Sequence, residues 1–132
     1  ALEAYVKDIL TTYANHKTII LWDLYNEPGN NDFFDESLPL LKTIFKWARA
    51  VNPSQPLTAG VWQLGDWRFR KVTNFQLLNS DVISFHNYGK YEDMKKDITR
   101  YKSFGRPVVC SEYLARGYNS KFETHLPLLK KE

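Results

Sequence analysis

Hydrophobic residues along this chain follow two spacings that alternate from one end to the other. In residues 2–13 apolar side chains recur every three or four positions, the spacing of an amphipathic helix. Residues 18–22 are instead a continuous run, Thr-Ile-Ile-Leu-Trp, which predicts a strand covered on both faces. Pro28 and Gly29 then end this strand. The chain is therefore predicted to open with a helix and a strand.

The same alternation continues through the rest of the chain. Strands that alternate with helices predict right-handed crossovers and a parallel sheet, so the fold class is α/β. Two architectures fit this pattern, an open doubly wound sheet and part of a closed TIM (β/α)₈ barrel. The further predicted strands are 57–62, 82–86 and 107–113, and the further predicted helices are 38–51, 72–78, 91–104 and 122–131.

The carboxyl ends of the predicted strands favour the barrel. They carry side chains that suit a binding site: Asn26 and Glu27, then Trp62, then His86 and Tyr88, then Glu112. A barrel brings the carboxyl ends of all its strands to one pocket, whereas an open sheet gathers ligands at its switch point. Four strands are about half of a barrel, so residues 1–132 are predicted to be a partial catalytic barrel domain with the remaining strands absent.

A half barrel is expected to leave part of its sheet without an opposing layer. We expect the inward faces of Leu21, Val61 and Ile83 to be uncovered, and the two outer strand edges to be unpaired. Exposed apolar area of this kind favours association. The isolated piece is therefore expected to self-associate or to need the rest of the barrel, and to be inactive by itself.

Composition and charge remove several function classes. The 18 basic and 15 acidic residues are scattered, which leaves no footprint for nucleic acid or an anionic membrane. No apolar run approaches the length of a membrane span. Cys110 is the only cysteine, so it has no partner for a disulfide within the chain. No glycine-rich turn follows a strand, which disfavours a nucleotide-binding domain, and neither a metal ion nor a cofactor is predicted.

Two glutamates end two different predicted strands, and together they suggest a reaction. Glu27 closes the segment Trp-Asp-Leu-Tyr-Asn-Glu-Pro, and Glu112 closes Val-Val-Cys-Ser-Glu-Tyr. Hydrolysis of a glycoside with retention needs two carboxyl groups about 5–5.5 Å apart, one to protonate the leaving oxygen and one to attack the anomeric carbon. The sequence therefore predicts that the two carboxyl groups lie about 5 Å apart on one face of the barrel.

Three motifs in a fixed order resemble those of the barrel clan of retaining glycosidases, and most closely those of the cellulases and mannanases of glycoside hydrolase family 5. In that family Asn-Glu-Pro ends the fourth strand, His-x-Tyr the sixth and the nucleophilic glutamate the seventh. This sequence has Asn26-Glu27-Pro28, His86-Asn87-Tyr88 and Glu112 in the same order. The resemblance implies that the chain runs from the third to the seventh helix of the barrel, without the family's early-strand arginine and eighth-strand tryptophan.

The resemblance also implies roles for individual residues. Glu27 is expected to be the acid/base and Glu112 the nucleophile, with the Tyr88 hydroxyl as the candidate donor to Glu112. Asn26 would bind the sugar 2-hydroxyl, and His86 would bind substrate or orient a neighbour. Using both Asn26 and Glu27 requires a bulge or a strand end, because adjacent strand residues face opposite ways.

Aromatic and acidic neighbours complete the predicted site. The ring of Trp62 is a candidate platform for a sugar face, and Trp67 is a weaker one. Asp23 is expected to be a structural residue buried in the barrel, because it lies inside the first predicted strand.

The resulting hypothesis is a glycosidase that acts on β-linked oligo- or polysaccharides in the manner of an endo-β-1,4-glycanase. Glucan, mannan and xylan all remain possible substrates. The alternative is a non-catalytic carbohydrate-binding or structural barrel that has kept the cleft but not turnover. The family resemblance also favours a secreted or periplasmic protein.

Overall fold

The computed structural model describes all residues from Ala1 to Glu132. Helices and parallel strands alternate along the chain, and short 3₁₀ turns lie at Phe34–Ser37, Trp67–Phe69 and Arg116–Tyr118. The main elements are α1 (Leu2–Thr12), β1 (Trp22–Asp23), α2 (Leu38–Val51), β2 (Leu57–Thr58), α3 (Arg70–Asn79), β3 (Ile83–His86), α4 (Tyr91–Lys102), β4 (Val108–Glu112) and α5 (Phe122–Lys131). No helix is both long enough and apolar enough to cross a membrane.

The four strands pair in the order in which they occur along the chain. β1 lies parallel to β2, and β3 lies parallel to β4. A bridge between Val61 and Phe85 joins the two pairs, since the Val61 N–H donates to the Ser84 carbonyl at 2.9 Å and the His86 N–H donates to the Val61 carbonyl at 2.8 Å. The α/β class and the partial TIM barrel predicted from the sequence are therefore confirmed.

The first strand differs from its prediction. Residues 18–21 are not part of the ladder, which begins at Trp22, and Ile20 is 79% exposed rather than covered on both faces. β1 pairs only with β2, so its other edge has no neighbour within the described chain. An edge strand lacks hydrogen-bonding partners on one side, and the cover on both faces that the apolar run suggests is absent at Ile20.

The hydrophobic core lies between the sheet and the helices and forms two clusters. One cluster gathers around α2, and its buried members are Leu10, Leu41, Phe45, Ala48, Leu57, Ala59, Phe69 and Val72. The other gathers around β3 and α4, and its buried members are Val61, Leu77, Ile83, Phe85, Met94, Ile98, Tyr101 and Leu128. Val61 and Ile83 are each only 1% exposed on this helix side, so the expectation that they face the barrel interior was wrong.

The opposite face of the sheet carries small and polar side chains. The Thr58 and Ser84 hydroxyls lie 2.9 Å apart there, and both residues are buried. Because side chains alternate along a strand, Gly60 and His86 follow on this same face. The polar face therefore leads toward the carboxyl ends of the strands, where the predicted site lies.

A charged contact secures the other end of the sheet. The Arg49 guanidinium donates to both carboxylate oxygens of Asp81, at 2.7 and 2.8 Å. The same carboxylate accepts the backbone N–H of Leu57 at 2.8 Å. The hydrogen bonds from Arg49 hold the pKa of Asp81 below its usual value. This contact ties α2 to the loop before β3, far from the strand ends that carry the two glutamates.

Candidate active site

Three predicted site residues from three different strand ends meet in one place. Glu27, His86 and Glu112 each present one side-chain atom, and these atoms all lie within 4.8 Å of one another. Glu27 and His86 line a cleft of about 460 Å³ at the carboxyl ends of the strands, and Glu112 lies beside this cleft through its contact with His86. The residues lining this cleft are Glu27, Trp62, Gln63, His86, Asn87, Tyr88 and Asp97.

Glu27 reaches the cleft through a turn in left-handed backbone. Its φ is 46°, a conformation that residues other than glycine rarely adopt and that marks stored strain. The expected strand end after Asn26 is therefore present as a tight turn. One carboxylate oxygen of Glu27 lies 2.8 Å from the Asn30 amide that donates to it, and the other lies 2.7 Å from Nδ1 of His86. Buried Pro28 follows, and its carbonyl accepts the Trp62 indole N–H at 3.2 Å.

Glu112 reaches the same cleft by a different device, a β-bulge. Cys110 pairs with Phe85 and Glu112 pairs with His86, which leaves Ser111 without a partner in the ladder. Cys110 packs against the helix-side cluster, and burial raises the pKa of its thiol to about 12. In a regular strand Glu112 would lie on the same face as Cys110. The extra residue turns Glu112 to the face of His86 instead.

Tyr88 contacts Glu112 as the sequence predicted. Its hydroxyl donates to Oε2 of Glu112, and this hydrogen bond to a carboxylate raises the pKa of Tyr88 to about 12. The neutral, hydrogen-donating form of Tyr88 is therefore favoured well above neutral pH. Oε1 of Glu112 lies toward His86, 3.4 Å from its Nε2.

His86 lies between the two carboxylates, a position that the sequence did not predict. Its side chain is only 2% exposed and presents Nδ1 to Glu27 and Nε2 to Glu112. Gly60 makes room for this ring, because a Cβ at that position would lie 2.8 Å from Nε2 of His86. Only glycine fits there without displacing the imidazole.

The structure agrees only in part with what the sequence predicted for Asn26, Trp62 and Asp23. Asn26 is exposed and is not among the residues that line the cleft. Trp62 lines the cleft, but it also packs edge-to-face on Phe69 at 5.2 Å and binds the Pro28 carbonyl. Asp23 is exposed on β1, so the expectation of a buried structural residue was wrong. Neighbouring protein atoms nevertheless desolvate the Asp23 carboxyl group and raise its pKa.

Asn87 and Asp97 were missed as members of the site. The Asn87 amide donates to Asp97 at 2.6 Å, and its carbonyl oxygen accepts the Gly89 N–H at 2.7 Å. These bonds hold the loop that carries Tyr88. The sequence marked the histidine and tyrosine on either side of Asn87, but it gave no signal that a residue of α4 would hold the asparagine between them.

The same donors also form a set suited to a metal ion. Two carboxylates and one imidazole, from Glu27, Glu112 and His86, each offer one ligand atom. The sequence prediction of a site that works without a metal ion stays a prediction.

Comparisons with known proteins agree with a glycosidase barrel. The family described as glycosyl hydrolases family 2, TIM barrel domain, matches residues 1–130. A β-glucuronidase from Paenibacillus borealis is 30% identical in an alignment of 120 residues that covers 82% of this chain and 19% of that protein. The chain thus spans about a fifth of the length of this relative. The matching family is family 2, whereas the sequence motifs were most like those of family 5.

A solved structure supports the fold independently. The glycosylated endo-β-1,4-xylanase of glycoside hydrolase family 10 from Gloeophyllum trabeum superimposes with a TM-score of 0.55 over 80% of this chain and 39% of that chain. The two sequences are 13% identical, so this likeness concerns the barrel fold alone.

Proposed function

Because this chain belongs to the TIM barrel domain of glycosyl hydrolases family 2, we propose that it carries the catalytic pair of a retaining β-glycosidase. Glu27 is the general acid/base and Glu112 is the nucleophile. The observation that carries this proposal is the closeness of the two carboxylates, which have atoms within 4.8 Å of each other. Retaining enzymes hold the two groups about 5–5.5 Å apart, whereas inverting enzymes separate them by about 6.5–9.5 Å.

The contacts of His86 are compatible with this division of roles. Its Nδ1 lies 2.7 Å from Oε1 of Glu27, and its Nε2 lies 3.4 Å from Oε1 of Glu112. One imidazole therefore links the two carboxyl groups, of which the first step of retention requires one to be protonated and the other to be ionised.

In the first step Glu112 attacks the anomeric carbon while Glu27 gives its proton to the departing glycosidic oxygen. A covalent bond forms between Glu112 and the sugar, and the glycosidic bond breaks. In the second step Glu27 takes a proton from water, which attacks the anomeric carbon and releases Glu112. Tyr88 holds Oε2 of Glu112, which leaves Oε1 as the attacking atom.

The proposed substrate class is a β-linked glycoside. The curated relative is named a β-glucuronidase, so a β-glucuronide is the first substrate to test. The endo-β-1,4-glycanase preference expected from the sequence is tested beside it with glucan, mannan and xylan. We also propose that residues 1–132 act within a larger catalytic barrel, because the chain contributes four strands where a closed barrel has eight.

Activated aryl β-glycosides test the assignment in the full-length protein. Glu112→Ala should abolish turnover. Glu27→Ala should still form the glycosyl-enzyme with a good leaving group but should hydrolyse it slowly, and added azide should restore turnover by attacking the intermediate. Proton NMR of the wild-type reaction should show that the first product formed is the β anomer.

Glu92→Ala is the matched control, because Glu92 is an exposed glutamate in the first turn of α4. It should retain wild-type activity. Equal losses for Glu27→Ala and Glu112→Ala without azide rescue would reject the division of roles, and an α anomer as first product would reject retention. A protein that binds β-glycans without turning them over would instead be the non-catalytic barrel.

A further inference from the structure

His125, in α5, is fully buried, although it lies outside the cleft that holds the two glutamates. The backbone N–H of Lys121 donates to its Nδ1 at 3.3 Å, and the Thr124 hydroxyl lies 2.9 Å from the same atom. A backbone N–H can only donate, so Nδ1 carries no proton. Nε2 therefore holds the ring proton and donates it to the Gly89 carbonyl at 3.1 Å.

This imidazole touches both loops that bring the Tyr88 hydroxyl to Glu112. Gly89 directly follows Tyr88, and Tyr113 directly follows Glu112. The His125 ring stacks on the Tyr113 ring with centroids 6.4 Å apart and an interplanar angle of 22°. One buried side chain thus contacts the backbone next to the hydrogen-bond donor and the residue next to the acceptor.

Other contacts also restrict the backbone of Gly89. Its N–H is bound by Asn87, and a Cβ added to it would lie 3.2 Å from Cβ of Asp93. The carbonyl of Gly89 is the other polar group of the same residue, and His125 holds it. The segment that aims Tyr88 is therefore fixed on one side by Asn87 and on the other by His125.

We propose that His125 is a positioning residue, which sets the Tyr88–Glu112 hydrogen bond by holding the Gly89 carbonyl and packing on Tyr113. This role rests on the proposed function of Glu112 as nucleophile. His125 does not touch the reacting atoms, so it acts on the chemistry only through Tyr88 and Glu112.

Two substitutions separate the two polar contacts of the ring in the full-length protein. His125→Gln keeps an N–H donor near the place of Nε2 and loses the acceptor for Lys121. His125→Asn keeps an acceptor near the place of Nδ1 but does not reach Gly89. We expect kcat/KM to fall about 10-fold for His125→Asn, because losing the bond to Gly89 should also lose the Tyr88 hydrogen bond to the Glu112 carboxylate. For His125→Gln, which keeps the bond to Gly89, we expect a loss of no more than about twofold.

A double-mutant cycle with Tyr88→Phe tests whether the effect passes through Tyr88. If it does, His125→Asn should cost no further activity once the tyrosine hydroxyl is gone. A merely structural role would lower the melting temperature and the activity equally in both backgrounds. If His125→Asn does not fold, His125→Phe replaces it, since it also lacks the donor and keeps a ring against Tyr113.

Tyrosine ionisation gives a second readout that does not depend on catalysis. Absorbance near 295 nm at a pH of about 10.5, taken as the difference from the matching Tyr88→Phe variant, reports the charge of Tyr88 alone. With its pKa at about 12, Tyr88 stays neutral in the wild type. Loss of its bond should return the pKa to about 10 and produce most of one tyrosinate in His125→Asn but not in His125→Gln.

The outcomes are separable. Additive activity losses in the cycle, or the same tyrosinate signal in wild type and His125→Asn, would overturn the positioning role. Absence of any glycosidase activity in the wild type, with the tyrosinate difference present, would overturn the proposed function while leaving the positioning of Tyr88 by His125 intact.

Discussion

The two glutamates of the cleft reach it from opposite edges of the sheet and by different structural means. Glu27 follows a two-residue edge strand and is directed by a left-handed turn, in which Asn30 holds its carboxylate. Glu112 ends the longest strand and is directed by a bulge at Ser111. The first device is a local turn, whereas the second depends on the register between two strands.

This difference determines which substitutions each glutamate tolerates. A turn is defined by the residues within it, so Glu27 depends on its immediate neighbours. A bulge is defined by which residues pair across the two strands, so Glu112 depends on its position opposite His86 more than on the identity of Ser111. Because His86 contacts both carboxylates, a change in either the turn or the bulge should also affect the other glutamate.

Exchange of Ser111 and Glu112 is the strongest test of this comparison. In the double variant Ser111→Glu, Glu112→Ser the carboxylate stands on the unpaired residue of the bulge instead of the residue that pairs with His86, and activity should fall to the level of Glu112→Ala. We expect a loss larger than the roughly 10²–10⁴-fold contributed by a single general acid–base group. Ser111→Ala keeps the register and should retain nearly full activity. Steady-state kinetics with thermal melting checks both, and an active exchange variant would refute the role of the bulge.

Gly60→Ala should disturb both glutamates together. Its methyl group would lie 2.8 Å from Nε2 of His86 and force that ring away from its partners. A displacement of about 1 Å in a site of this kind costs about 10²-fold in rate. We expect kcat/KM to fall by that order while the circular dichroism spectrum stays unchanged. Ala59→Gly is a neighbouring control, which changes the flexibility of the backbone without crowding His86. Equal activity losses in the two variants would argue against the steric effect.

Tyr88→Phe should have a smaller effect, confined to Glu112. Removing one hydrogen bond to a carboxylate should lower kcat/KM about 10-fold. Glu112 raises the pKa of Tyr88 to about 12, so the hydroxyl remains a donor below pH 10 and would be lost only as the pH rises through 12. The alkaline limb of the pH–rate profile below pH 10 should therefore be the same in wild type and Tyr88→Phe. If the alkaline limb is present in the wild type and absent in Tyr88→Phe, ionisation of Tyr88 causes it and this expectation is wrong.

Asp81→Asn should leave the site untouched and change only stability. Arg49 lowers the pKa of Asp81, so the stabilisation is present above its ordinary value of 3.8 and is lost as the pH falls through the folded value. The two side chains are 46% and 41% exposed, and solvent screening limits the effect to about 1 kcal/mol at neutral pH. Urea unfolding at pH 7 and pH 3 should show this difference shrinking with acid, while kcat per folded molecule stays constant.

The sequence predicted the order of elements well, because buried faces follow helix and strand periods over many residues. It extended the first strand back to residue 18, since an apolar run does not reveal whether a neighbour is present to pair with it. The strand ends carrying Glu27 and Glu112 were identified by residue type and position. The bulge at Ser111 was not, because one unpaired residue leaves no periodic signal.

The contacts within the site, like the bulge, could be predicted only in part from the sequence. The Tyr88–Glu112 bond was predicted from the motifs, whereas the position of His86 between the carboxylates depends on the glycine that makes room for it. His125 gave no signal either, since its spacing fits an ordinary helical core position. Contacts between distant segments require the register of the sheet, which only three-dimensional structure supplies.

The order of strands in the sheet also has a consequence for how the chain folds. Every strand hydrogen-bonds only with strands next to it along the chain, so each pairing closes the loop of a single β-α unit, such as the one between Trp22 and Leu57. The bond between Glu27 and His86 instead joins residues 59 positions apart. We therefore expect each β-α unit to assemble before the arrangement of the two glutamates around His86, which needs the longer loop to close.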